Sequence, residues 1–163
     1  MKKGITAIIA LLFLASCSTD NENDGMLEAS ALVGTWNMTD VRFEEDPNDT
    51  SLNLADEIVD QLVEESCFLV SFTFNADGTA TADNKVNYIE VNAGPTGLDV
   101  PCPNQSDVET TTWSLVGNQL TFINEDLEEE TITVQLEGNT LILAGDDINA
   151  ENYTGTEVVF TRQ

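Results

Sequence analysis

The chain of 163 residues has no histidine, only five basic residues against thirty acidic ones, and three cysteines. Without histidine the commonest general base and metal ligand are missing. That excludes Ser/His/Asp and Cys/His nucleophile systems and His/Cys zinc sites. A formal net charge of −25 excludes nucleic-acid binding, which needs Lys and Arg to displace counterions from phosphates. No Gly-rich phosphate loop follows a strand and opens a helix. Paired carboxylates could still serve a glycosidase, and the candidates are Glu64-Glu65, Glu128-Glu129-Glu130 and Asp146-Asp147. All fall on a helix face or in turns between strands, where solvated surface is the better account. The expectation is a protein that is not an enzyme and carries no cofactor and no metal.

Hydrophobic residues make up 41% and charged ones 21%, a balance that belongs to a globular chain, and the length suits one domain. The start does not belong to that domain. Lys2 and Lys3 precede an apolar run from Ile5 to Leu14, and then comes Ala15-Ser16-Cys17. A basic start, a short apolar run and small residues before a cleavage point make a secretory signal peptide over 1–16. The run is about half the ~20 residues that a spanning helix needs. Leu14-Ala15-Ser16-Cys17 resembles the lipobox of bacterial lipoproteins, which implies diacylglycerol on Cys17. Each buried CH₂ contributes about 0.8 kcal/mol, so two or three acyl chains anchor a protein without a transmembrane helix. Lys2 and Lys3 leave with the signal, so the mature surface is more acidic still and repels anionic headgroups; the lipid must do the anchoring. Residues 17–26 read as the lipidated Cys and an acidic tether, Ser-Thr-Asp-Asn-Glu-Asn-Asp-Gly from Ser18 to Gly25, with no apolar residue to fold around. The stretch resembles the acidic segment behind the lipidated Cys of surface-exposed lipoproteins of Bacteroidota. That implies the outer membrane and the cell surface, with its periplasmic face as the alternative.

Residues 27–163 form the folded domain. Turn signals recur at Asn75-Ala76-Asp77-Gly78, Gly117-Asn118, Gly138-Asn139 and Gly145-Asp146-Asp147, and short runs rich in Val, Ile, Thr and Phe lie between them. Such spacing predicts an antiparallel sandwich or barrel. Alternation is clean where Phe68, Val70, Phe72 and Phe74 share one face, and again at Ile132, Val134 and Leu136. Strands are predicted near 33–43, 67–75, 78–83, 85–91, 108–116, 119–124, 130–137, 139–144 and 156–162. Leu52, Leu54, Ala55, Ile58, Val59, Leu62 and Val63 recur at helical steps, which predicts an amphipathic helix over 52–66 with Ser51 or Asn53 as N-cap. It would plug or cover a barrel end, or act as a lid over a ligand mouth. Cys67 and Cys102 remain once Cys17 is lipidated, and an even pair in an exported protein predicts a disulfide. Residues 92–106, with Gly94-Pro95, Gly97 and Pro101-Cys102-Pro103, read as a loop pinned by that bridge.

Leu32-Val33-Gly34-Thr35-Trp36 opens the first strand, and Gly-x-Trp at that place is similar to the N-terminal signature of lipocalins. Cys67 before a Phe-rich strand, Phe74 to Thr79, Cys102 upstream of Trp113, Gly117-Asn118-Gln119-Leu120 and Phe160-Thr161-Arg162 resemble the small lipocalin-like lipoproteins of Bacteroidota. The resemblance implies an all-β, antiparallel up-and-down barrel; the inserted helix over 52–66, absent from simple lipocalins, departs from it. It also implies that Gly34, Trp36 and Arg162 form a structural signature at the base, with the guanidinium stacked on the indole. Two functions follow from it. One is binding of a small apolar molecule among inward aromatics, for which Phe68, Phe72, Phe74, Trp113, Phe122 and Phe160 are the lining candidates. The other is a non-binding surface or scaffold lipoprotein that meets a protein partner through its loops.

Overall fold

The computed structural model describes residues 28–43, 50–94, 97–124, 126–149 and 155–163. The signal, Cys17 and the acidic tether lie outside the described residues.

Eight strands close into a barrel. They are β1 (Gly34–Phe43), β2 (Val70–Phe74), β3 (Thr79–Asn84), β6 (Asp107–Val116), β7 (Gln119–Ile123), β8 (Glu129–Glu137), β9 (Thr140–Ala144) and β10 (Thr156–Arg162). Each pairs antiparallel with the next along the chain, and β10 returns to β1. A separate ribbon pairs β4 (Asn92–Gly94) with β5 (Gly97–Asp99). Among the described residues three α-helices complete the order: α1 (Ala29–Leu32), α2 (Thr50–Glu64) and α3 (Gly145–Asn149). Among the described residues no helix is long and apolar enough to cross a membrane.

The alternation in the sequence becomes the two faces of the wall. In β8, Ile132 and Val134 are buried while Thr131, Thr133 and Gln135 are exposed, which is the period of two that a pleated strand imposes. Outward threonines bond across strands, Thr121 with Thr131 at 2.8 Å and Thr35 with Thr73 at 3.1 Å. The meander sorts its connections by length. The tight turns at 75–78, 117–118 and 138–139 fall at one end, the base. Gly117 leads its two-residue turn with φ +62°, a conformation that lets the strands keep their twist. The long connections, which hold α2, the β4–β5 ribbon, residues 124–128 and α3, fall at the other end.

Two expectations change here. Residues 85–91 are not a strand: Val86–Tyr88 form a 3₁₀ turn. The Asn84 side chain accepts from the Val86 amide at 2.9 Å, and the Tyr88 hydroxyl donates to Asp107 at 2.7 Å. These local polar bonds outcompete a ladder. They also hold the Asp107 carboxyl below its usual range, through Asn87 first and Tyr88 second, and raise the Tyr88 hydroxyl. Residues 92–106 are not wholly a loop, since they contain the ribbon. α2 begins and ends two residues before its predicted bounds. Ile58, Val59 and Leu62 are buried, and the helix packs against β1.

Cys67 and Cys102 are joined, with Cα atoms 5.8 Å apart. The bridge ties the segment after the ribbon to the chain between α2 and β2. Closing a loop of this length stabilises by about 3–4 kcal/mol.

Candidate functional site

The two ends of the barrel are built differently, and the base explains how the interior is divided. Trp36 is 0% exposed, and its indole N–H donates to the Leu32 carbonyl at 2.7 Å. Arg162 pairs with Trp36 in the β1–β10 register and lays its guanidinium 4.3 Å from the ring centroid. The same guanidinium donates to the Val33 carbonyl at 2.6 Å and to the Ala31 carbonyl. Gly34 makes this possible. A Cβ there would stand 3.1 Å from Arg162 Nη1, and its φ is +138°, a backbone state that side-chain-bearing residues avoid. Phe160, 0% exposed, packs its ring 5.0 Å from that of Phe72. Trp36, Met38, Val41, Val158 and Phe160 thus fill the β1–β10 side with large side chains.

The opposite side is open. A cavity of about 660 Å³ lies between β2, β3, β6, β7, β8 and β9. Its inner wall is Phe72, Phe74, Trp113, Leu120, Phe122, Ile132, Leu141 and Leu143. Phe74 and Trp113 meet edge to face at 5.2 Å. Trp113 is held by its indole N–H, which reaches the Thr79 carbonyl at 3.0 Å. Space exists because the two inward positions of β3 are Ala80 and Ala82, opposite Phe74 and Phe72. A larger pair there would fill it.

The mouth is a split in the wall. β6 pairs with β3 over 107–112 but with β7 only over 113–116. Above Trp113 the Thr111 hydroxyl replaces the ladder. It donates to the Ile123 carbonyl at 2.7 Å, and the Ile123 amide donates back to it at 3.2 Å. Beyond that fork the strands diverge. Glu109, Thr110, Asn124, Leu127, Glu130 and Asp147 frame the opening. Leu127 is 85% exposed with φ +62°. It is held in that conformation by its own amide donating to the Asn124 carbonyl, while the Asn124 side chain accepts from the amides of Asp126 and Glu128. The Asn124 side-chain amide also donates to Glu130 at 3.4 Å.

Of the six aromatic candidates, Phe72, Phe74, Trp113 and Phe122 line the cavity. Phe68 does not: it precedes β2, outside the pleat that alternation assigned to it. Phe160 does not either, because the base packing takes it. Among the described residues α2 contributes none to the lining, so this mouth is framed by the β6–β7 side rather than by the helix expected as a lid. Glu130 and Asp147, read from the sequence as solvated, stand at the mouth; Glu64, Glu65, Glu128, Glu129 and Asp146 are exposed. The lining also includes Ala80, Ala82, Thr111 and Glu109, none of them among the sequence candidates. Their signal was parity: Ala80 and Ala82 on one strand, and Glu109, Thr111, Trp113 and Leu115 on another, occupy inward positions. Among the described residues no three of Cys, Asp and Glu come together as metal ligands.

The family comparison agrees with this architecture. A family model described as a lipocalin-like domain matches residues 32–143. Among solved structures the chain is similar to a lipocalin-like protein from Bacteroides uniformis. Identity is 14%, the alignment covers 82% of this chain and 99% of that one, and the TM-score is 0.40. No curated protein matches.

Proposed function

The chain belongs to the lipocalin-like domain family, and from that premise we propose that it binds a small apolar molecule in its barrel. The observation that carries the reading is the cavity of about 660 Å³ between β3 and β9, walled by aromatic and aliphatic side chains and open through the β6–β7 split. Pockets of roughly 300–1,000 Å³ with apolar walls and a few polar groups are the usual form of small-molecule sites. The protein works by binding rather than by catalysis. It is held at the outer membrane by lipid on Cys17 after removal of 1–16; the support for that is the sequence of the leader and tether. Incorporation of labelled palmitate that is lost in Cys17→Ala tests the anchor.

The binding test uses Nile red, a neutral apolar dye, titrated into the purified protein. The expected result is saturable binding that Ala82→Phe weakens about ten-fold or more while the protein stays folded, because the new ring occupies the space beside Phe72. Dye that fails to bind, or binds Ala82→Phe as well as the parent, overturns the reading. It would then favour the non-binding scaffold that acts through loop contacts.

A further inference from the structure

We propose that the cavity selects flat, neutral aromatic molecules over saturated ones of the same size, an inference that rests on the binding reading above. The lining changes character from strand to strand. In the order of the wall β3 stands between β2 and β6, and β7 follows β6. β3 brings the methyl groups of Ala80 and Ala82 to the space, while its neighbours bring rings: Phe72 and Phe74 from β2, Trp113 from β6 and Phe122 from β7. Phe72 and Phe74 stand directly opposite Ala82 and Ala80 in the β2–β3 register, and Trp113 stands opposite Phe122 in the β6–β7 register. The result is a shallow floor of methyl groups with aromatic rings on both flanks. Across the barrel, β8 and β9 face it with the aliphatic Ile132, Leu141 and Leu143.

The rings are held in place by the protein itself. The Trp113 indole N–H is shared between the Thr79 carbonyl at 3.0 Å and the Asn75 carbonyl at 3.2 Å. Its plane meets that of Phe74 at 71°. Phe72 sits between Phe74 and Phe160, with ring centroids 6.1 and 5.0 Å away. An aromatic ring is electron-rich on its faces and electron-poor at its edges, so such an array attracts a further ring in offset or edge-to-face contact, beyond what buried area gives. A saturated ring has no such quadrupole and gains area alone. A flexible alkyl chain also gains area, but it loses torsional freedom when a fixed wall orders it. The ligand class is thus a compact aromatic ring system, with saturated rings weaker and alkyl chains weakest.

The experiment displaces Nile red from the protein with three neutral alcohols of equal carbon count: 2-naphthol, decahydro-2-naphthol and 1-decanol. Each dissociation constant is divided by the value that the probe's octanol–water partition predicts, so that hydrophobicity alone gives no preference. The expected order is that order, with about ten-fold or more between the first and the second. Phe122→Leu, which keeps an apolar side chain and removes one ring, should cut that preference to about three-fold or less and keep decahydro-2-naphthol binding. Phe68→Leu, which removes a ring that does not line the cavity, should leave the preference intact. Equal normalised binding of the three alcohols, or 1-decanol ahead of 2-naphthol, overturns the inference and leaves the cavity reading standing. So does a preference that survives Phe122→Leu unchanged or disappears equally in Phe68→Leu, and so does bound Nile red that 2-naphthol cannot displace. Failure of Nile red and all three alcohols to bind overturns both.

Discussion

The base and the mouth of this barrel are made from the same eight strands, yet they treat volume and hydrogen bonding in opposite ways. At the base the β1–β10 side is filled with large side chains, and the polar groups of Trp36 and Arg162 are paired. One guanidinium answers an indole and two carbonyls at once, and a glycine gives it room. At the mouth the wall is made from alanines and acids, and a threonine hydroxyl interrupts a backbone ladder. The difference shows where packing is concentrated and where the interior is left open. Substitutions at one end should therefore read out in folding, and at the other in binding.

The largest test of that division is Trp36→Ala. It removes a fully buried indole with its hydrogen bond and its cation, and it should cost about 3–5 kcal/mol in denaturant unfolding. The fraction that remains folded should keep its Nile red affinity. Arg162→Ala should move in the same direction by less, and two variants with the parent's melting temperature would end the idea of a keystone. Cys67→Ala with Cys102→Ala comes next. It should cost about 3–4 kcal/mol, and it too should spare the dye site, since neither cysteine lines the cavity. A selective loss of binding there would mean that the ribbon shapes the mouth. The smallest effect should be a gain. Leu127→Asn relieves a left-handed backbone that suits asparagine better than leucine, and should raise stability by about 1 kcal/mol. If calorimetry finds a loss instead, the leucine side chain contributes packing that its exposure conceals.

The strands, the inserted helix and the disulfide were legible because burial imposes its own period and because two cysteines remain once Cys17 is set aside. The division of the interior was not. A cavity is an absence of volume: the alternation in Thr79-Ala80-Thr81-Ala82 puts both alanines on one face, but only their pairing with Phe74 and Phe72 makes them its wall. Glu130 looked like one of three solvated glutamates at a turn. Only the register of β8 against β7 turns it inward while Glu128 and Glu129 stay exposed. Phe160 was placed among the lining residues because strand parity points it inward, but parity does not say which half of an interior a side chain enters. Residues 85–91 carried enough apolar residues to suggest a strand. The decisive groups were instead the Asn84 amide and the Tyr88 hydroxyl, whose partners are a nearby backbone N–H and a carboxylate some twenty residues on.

The seam between β1 and β10 carries a consequence in time. β1 is the earliest of these strands to be synthesised, and it has one neighbour in β2. Its other edge is closed only by Thr156–Arg162, with Trp36 set against Arg162 and Phe43 against Thr156. Until those seven residues exist, one side of β1 has no ladder and Trp36 has no cation. A nascent chain stalled anywhere before them holds a sheet with two open edges. Pairings this distant in sequence form late and slowly. Closure therefore waits until Thr156–Arg162 have been made, which leaves the barrel unlocked until then.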